Sequence, residues 1–172
     1  MTIYLDMDGV LADFFGGIEQ HFGINHWKDL GDVEAKLMEL KGTDFFNLLE
    51  PFPTTLKLID YVKSTGDWGI CSSPLRNDEY NSAYWKRIWL ESHLICPPIM
   101  NLIFTHRKHR YAVDRFTGQP NILIDDKPSN CADWEANGGI AIRYQANQDD
   151  FEEYLLPKID DALDLSEKLK YV

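Results

Sequence analysis

Ile3-Tyr4-Leu5-Asp6-Met7-Asp8-Gly9-Val10-Leu11-Ala12-Asp13 is the stretch that decides the fold. The apolar run Ile3 to Leu5 reads as a buried parallel strand. It ends in two acids, Asp6 and Asp8, followed by Gly9. Residues two apart in an extended segment point to the same side. Both carboxylates therefore project together from a strand end, where open α/β sheets place their ligands. Two like charges this close repel, and a metal cation relieves the repulsion. Gly9 permits a sharp turn away from the strand.

Outward from that stretch, residues 14–51 change character. Phe14, Phe15, Ile18 and Phe22 have helical spacing, with Gly23 as a stop. Val33 to Leu40 again has helical period and is broken by Gly42. Glu50-Pro51-Phe52-Pro53 marks a boundary, so 14–51 reads as a small helical cap inserted after the first strand. Residues 1–13 and 52–172 form the rest of the core, where helical and strand patterns alternate. Thr54 or Thr55 is placed to cap a helix with Leu58, Ile59 and Val62 inside and Gly66 at its end. Strands follow at Trp68–Cys71, Leu102–Thr105, Asn121–Ile124 and Ile140–Arg143. Helices are expected at Asp78–Leu94, with Tyr84, Trp85, Ile88 and Trp89 apolar, after Ser129 as a cap, and near Ile159–Leu169. This order predicts an α/β protein with a doubly wound, mainly parallel, Rossmann-like sheet.

Composition excludes several classes. The apolar fraction is 44%, enough for a core of globular type. The net charge is −11, which argues against polymeric nucleic acid and anionic membrane as partners. No apolar run approaches the roughly 18–20 residues of a membrane span. No secretory leader is visible at Met1-Thr2-Ile3, and Cys71, Cys96 and Cys131 lack metal-site spacing and read as free thiols. A cytoplasmic protein is expected. Oligomeric state is left open.

Four polar stations fall at or near strand ends: Asp6/Asp8, Ser72/Ser73, Lys108 and Asp125/Asp126. Each alone is an ordinary loop feature. Their order along the chain resembles that of the haloacid dehalogenase-like phosphohydrolases: acid pair, Ser or Thr, Lys, acid pair. The resemblance implies Asp6 as nucleophile and Asp8 as general acid/base, with Asp8 protonated when substrate arrives and its pKa therefore raised. It implies Mg²⁺ as cofactor, a hard cation that takes oxygen ligands. Asp6, the Asp8 backbone carbonyl and one of Asp125 and Asp126 would hold it. The resemblance favours Asp126 as the direct ligand. Ser72, Ser73 and Lys108 would hold or balance the phosphoryl group.

Within that superfamily the chain is most similar to the 5′(3′)-deoxyribonucleotidases. Asp-Met-Asp-Gly-Val-Leu-Ala-Asp-Phe at 6–14 resembles their first motif, Cys-Ser-Ser-Pro at 71–74 their second, Ile-Phe-Thr-x-x-Lys at 103–108 their third and Leu-Ile-Asp-Asp-Lys at 123–127 their fourth. Phe-Phe at 45–46 with Leu-Glu-Pro at 49–51 resembles their return from the cap. The link from Lys108 to Asp125 is longer than theirs and the cap shorter than in vertebrate members. The implied substrate is a small phosphomonoester, a pyrimidine deoxyribonucleotide. A sugar-phosphate phosphatase is the second reading, and a non-catalytic phospholigand-binding domain the third. Phe14 follows the first motif and is expected beside substrate. Phe15, His26, Trp27, Phe45 and Phe46 either face the cleft or form cap core. Lys86 matches a substrate-binding Lys by resemblance and is otherwise a helix-surface charge. Arg76 and Arg107 are secondary phosphate candidates, and His106 and His109 read as basic loop residues.

Overall fold

The computed structural model of the chain describes residues 1–170. Five strands form one sheet: β1 (Ile3–Leu5), β2 (Trp68–Ser72), β3 (Leu102–Phe104), β4 (Ile122–Asp125) and β5 (Ile140–Arg143). Their spatial order is β3-β2-β1-β4-β5, and every neighbouring pair is parallel. The doubly wound Rossmann-like sheet is therefore present, with β1 at its centre. Ile3 is in register with Trp68 on one side and Ile122 on the other. The three central strands are buried along their whole length, which is why their sequences are apolar runs without alternation.

The two sheet faces pack against different layers. Ile3, Leu5, Ile70, Ile122 and Ile124 join a large cluster with helices α3 (Thr55–Thr65), α4 (Glu79–Ser92) and α6 (Leu156–Leu169). Tyr4, Cys71, Ile103 and Leu123 point the other way, onto Ala112 and onto Trp134 of α5 (Pro128–Ala136). Residues 14–51 contain α1 (Phe14–Phe22), α2 (Val33–Met38) and short 3-10 turns at 27–30 and 45–48. Ile18, Leu30, Leu40, Phe45, Phe46 and Leu49 of this segment belong to the same apolar cluster as β1. Asp13 caps α1 by accepting from the Gly16 amide at 2.9 Å, and Gly23 ends it in the left-handed region.

Several local expectations are corrected. Thr54 stands at the N-cap of α3 as expected but makes no side-chain capping bond, and the Thr55 hydroxyl donates to the buried Leu11 carbonyl at 2.6 Å. Satisfying a buried carbonyl outweighs capping a helix end that water can reach. Ser129 lies inside the first turn of α5, which starts at Pro128, a residue preset for that position. α2 stops at Met38, short of Leu40. On α4 the inward stripe is Ser82, Lys86, Trp89 and Leu90, while Tyr84 is exposed. Counting apolar residues alone misplaced that face, because a lysine belongs to it.

Candidate active site

In the order β3-β2-β1-β4-β5, the chain winds outward from β1 in one direction and from β4 in the other. The switch point lies between the ends of β1 and β4, where open sheets form a crevice. Asp6 and Asp8 leave β1 there, and Asp125 and Asp126 leave β4. The turn after β1 depends on Gly9, whose φ is +78°. A Cβ on Gly9 would lie 2.5 Å from Asp126 Oδ2, so the missing side chain is also what lets Asp126 approach.

Lys108 binds this crevice together. It sits in a 3-10 turn (Lys108–Tyr111) beyond β3, almost fully buried. Its ammonium lies 2.9 Å from Asp6 Oδ2 and 2.6 Å from Asp125 Oδ2. Asp125 is fixed further by the Lys127 amide at 2.9 Å and by the Asn130 side-chain amide, which donates to both of its oxygens at 3.1 and 3.0 Å. Asp6 Oδ1 accepts from the Met7 amide at 2.8 Å.

Lys86 reaches the same crevice from α4. Its Nζ donates to Asp8 Oδ2 at 2.7 Å, to Ser72 Oγ at 3.0 Å and to the Ser73 carbonyl at 2.9 Å. The Phe46 ring covers it, with the centroid 4.8 Å from Nζ. The side chain is fully buried, so its reading as a surface charge does not hold. Asp8 Oδ1 is buried and has no hydrogen-bond partner among the described residues. An orphaned acceptor of this kind marks a place for a donor or cation from outside the chain.

Charge is unbalanced here. Asp6, Asp125 and Asp126 offer oxygens within 4.8 Å of one another, with Asp8 beside them, against two ammonium groups. Burial raises the pKa of Asp6, but Lys108 and then Lys86 outweigh it, and the carboxyl is held below its ordinary range. For Asp8 burial prevails and the pKa is raised, with Lys86 opposing and Asp6 adding to the rise. Asp126 is pushed up to about 8, first by burial and then by Asp6, Asp125 and Asp8. An all-oxygen donor set with excess negative charge fits a hard divalent cation. Two acids biased in opposite directions are the arrangement that nucleophile and proton donor require.

Residues 1–167 of the chain match the protein family described as 5′ nucleotidase, deoxy (pyrimidine), cytosolic type C. The chain belongs to this family. The mitochondrial 5′(3′)-deoxyribonucleotidase of Mus musculus is 28% identical over 151 residues, 74% of this chain and 65% of the mouse protein. The chain thus spans slightly less than two thirds of that relative. The cytosolic-type 5′(3′)-deoxyribonucleotidase of Homo sapiens is 29% identical over 153 residues, covering 74% of this chain and 71% of its own. Among solved structures, a haloacid dehalogenase-like family hydrolase from Streptococcus pneumoniae superposes with a TM-score of 0.51 at 13% identity, over 83% of each chain. A hydrolase from Streptococcus pneumoniae TIGR4 gives 0.53 at 14% identity, over 95% of this chain and 97% of that one. These two likenesses concern the fold.

The remaining candidate residues of this nucleotidase-family chain lie as follows. Phe14 is half-buried among Phe15, Phe45 and Phe46, with ring centroids at 6.0, 5.9 and 6.4 Å. Phe45 and Phe46 are buried; Phe15 packs on Trp27 at 5.5 Å, and exposed His26 stacks on Trp27 at 6.1 Å. The Ser73 hydroxyl donates to the Thr105 carbonyl at 3.2 Å, so its backbone carbonyl, not its hydroxyl, reaches the Lys86 group. Arg76 and Arg107 are exposed. His106 lies 3.7 Å from Glu79 and outside the acidic cluster. The three cysteines are free thiols. Asn130 was missed by sequence reasoning, while Phe46, read as facing the cleft or forming cap core, covers Lys86. The signal for Asn130 was its place in the first turn of a helix starting just after two acids.

Proposed function

We propose that the chain hydrolyses nucleoside 5′-monophosphates, pyrimidine deoxyribonucleotides foremost, through a phosphoryl group carried transiently on Asp6. The observation that carries this reading is the convergence of Asp6, Asp125 and Asp126 at the switch point, with Lys108 bridging Asp6 and Asp125, in a chain of this family. Asp6, kept ionised by Lys108, attacks phosphorus, and the bond from phosphorus to the ester oxygen breaks. Asp8 gives that oxygen its proton, then takes one from the water that attacks the aspartyl phosphate. Lys108 and the Ser72 hydroxyl offset charge on the phosphoryl oxygens. Mg²⁺, held by Asp6, the Asp8 backbone carbonyl and Asp126 or Asp125, would supply the remaining positive charge.

Support for a nucleotide comes from the family description and from the names of the two deoxyribonucleotidase relatives. The aromatic group around Phe14 offers a stacking surface for a base. No helix among the described residues is long and apolar enough to cross a membrane. A cytoplasmic location belongs to the same proposal, supported by three free thiols, although one relative is mitochondrial.

Turnover of a panel of nucleotides and sugar phosphates, with and without chelator, tests the reading. dUMP or dTMP is expected to lead in kcat/KM and to lose turnover in EDTA. Asp6→Asn should fold and retain no more than a trace of activity. Equal efficiency on sugar phosphates would replace the nucleotide reading with a general metabolite phosphatase. An active Asp6→Asn variant would remove the covalent mechanism.

A further inference from the structure

Lys108 reaches the crevice from beyond β3, one edge of the sheet, and a second set of contacts reaches it from beyond β5, the other edge. Residues 144–150 leave β5 and lead into a π-helical turn at Phe151–Leu155. Two amides of this segment donate to the strand exits that carry the acids. The Tyr144 amide donates to the Asp125 carbonyl at 3.0 Å, one residue before Asp126. The Ala146 amide donates to the Gly9 carbonyl at 2.9 Å, one residue after Asp8. The exits of β1 and β4 are thus tied to the same short piece of chain. Gly9 needs such a tie, because a residue without Cβ has the widest backbone freedom. Its amide, which shares a rigid peptide plane with the Asp8 carbonyl, donates to the Ala12 carbonyl at 3.0 Å. The bond from Ala146 fixes the plane on its other side.

Residues 144–149 lie in neither helix nor strand, and Asp149 gives them their shape. Its Oδ2 accepts from the Gln145 amide at 2.7 Å, and its own amide donates back to the Gln145 carbonyl at 2.9 Å. These two bonds close residues 145–149 into a small loop that contains Ala146. Arg143, the last residue of β5, anchors the loop to the sheet. Its Nη1 donates to the two Asp149 oxygens at 3.2 and 2.9 Å, and its Nη2 to Gln145 Oε1 at 3.3 Å. The Tyr154 hydroxyl, from the π-helical turn, donates to the Arg143 carbonyl at 2.8 Å. Gln145 is buried, so its amide loses a partner that water does not readily replace if the carboxylate is removed. As an ion pair the partly exposed Arg143 and Asp149 contribute little. Their consequence is geometric: three donors on one carboxylate set the direction of the Ala146 amide.

We propose that Asp149 is a positioning residue for the cation site: through Gln145 and Ala146 it holds the Gly9 peptide, and with it the Asp8 carbonyl and the approach of Asp126. The proposal rests on the reading that the Asp8 carbonyl and Asp126 take part in holding Mg²⁺. Asp149 is not itself a ligand, since it lies outside the cluster of Asp6, Asp125 and Asp126 and its carboxylate is committed to Arg143 and Gln145. Gly9 stands so close to Asp126 Oδ2 that a Cβ would lie 2.5 Å away, so a shift of the Gly9 backbone also disturbs that carboxylate. Groups that do not touch a metal but orient those that do are a regular part of cation sites.

Calorimetric titration of Mg²⁺ into the full chain, without substrate, tests this. Asp149→Ala should weaken Mg²⁺ binding by about 10–100-fold. Asp149→Asn removes the same charge but keeps an oxygen for the Gln145 amide, and should recover most of that loss. Asp150→Ala removes a neighbouring negative charge and the acceptor of the Glu153 amide, and should leave Mg²⁺ affinity unchanged. Arg143→Met has the sharpest sign. Losing a positive charge would by itself favour a cation, yet freeing Asp149 from the sheet should weaken binding. Hydrogen exchange of the Ala146 amide, read by NMR, should be slow in the wild type and in Asp150→Ala and fast in Asp149→Ala. Melting curves establish that each variant is folded, and Arg143→Met carries the test if Asp149→Ala is not. Wild-type affinity in the folded variants Asp149→Ala and Arg143→Met overturns the proposal and leaves the Mg²⁺ reading intact. An equal loss in Asp149→Asn and Asp149→Ala, or a like loss in Asp150→Ala, assigns the effect to charge and also overturns it. A wild type that binds no Mg²⁺ overturns the proposal together with the reading beneath it.

Discussion

Lys86 Nζ donates to Asp8 Oδ2 at 2.7 Å, although the two residues are 78 apart in sequence. The contact joins α4 to the exit of β1 and sets the electrostatic balance of the second acid. Lys86 has no surface in water, and three oxygens plus the Phe46 ring replace its hydration. A buried ammonium is tolerable only with such partners.

Lys86→Met should therefore cost stability on the order of 3 kcal/mol, since it leaves Asp8 without its counter-charge in a mostly dry site. The kinetic effect has a definite sign. Lys86 pulls the Asp8 pKa down against the larger effect of burial. Removing it pushes that pKa further up, so the part of the kcat profile that needs ionised Asp8 moves to higher pH. Urea unfolding and a pH-rate profile measure the two effects. An unshifted profile would detach Lys86 from the behaviour of Asp8.

Cation binding and stability should be linked through Asp126. Its carboxyl rises from 3.8 to about 8 in the folded chain without a cation. The folded state thus holds this proton more tightly than the unfolded state does. The resulting stability is complete below pH 3.8, declines as pH rises and is lost by about pH 8. A cation needs the ionised form, so its affinity should climb over the same window, up to about tenfold per pH unit. Melting curves with and without Mg²⁺ should show a larger stabilisation near about pH 8.5 than near about pH 5.5. The opposite order would count against Asp126 as a ligand.

Gly9→Ala tests the turn and the cation site together. At φ +78° an L residue costs roughly 1–2 kcal/mol. The added Cβ would also lie 2.5 Å from Asp126 Oδ2 and must displace it. Lower melting temperature and weaker Mg²⁺ binding by calorimetry should appear together. Loss of stability with unchanged Mg²⁺ affinity would show that Asp126 is not needed at that position.

Phe14→Leu separates base recognition from phosphoryl chemistry. Base stacking at about 1–3 kcal/mol corresponds to roughly 5–150-fold in kcat/KM if it persists in the transition state. Turnover of dUMP should fall by a factor in that range, while p-nitrophenyl phosphate, which has no base, should be nearly unaffected. Leu keeps much of the packing against Phe45 and Phe46. A parallel loss on both substrates would assign Phe14 to the apolar core.

Much of the frame was legible in the chain. Ile3–Leu5 and Ile140–Arg143 are strands with the bounds that their apolar runs indicate, and α1 runs from Phe14 to Phe22 before Gly23. Buried parallel strands are short apolar blocks, and glycine stops are local backbone chemistry, so both leave marks that need no knowledge of the rest of the molecule. The order of the polar stations at strand ends was visible for the same reason: topology converts chain order into proximity at the switch point.

Partnerships were not legible. Nothing near Lys86 in sequence distinguishes a lysine aimed at Asp8 from one in solvent, and Tyr84 looks as apolar as Trp85 although it faces out. Thr55 has the features of a helix cap, yet its hydroxyl serves the Leu11 carbonyl. Asn130 fixes Asp125 only because α5 starts where β4 ends. By itself the sequence determined the strands, the winding and the residue types of the site, since these follow from local periodicity and backbone geometry. Only the tertiary structure decided which ammonium neutralises which acid and which helix face is dry, because burial and pairing energies depend on atoms brought together from distant parts of the chain.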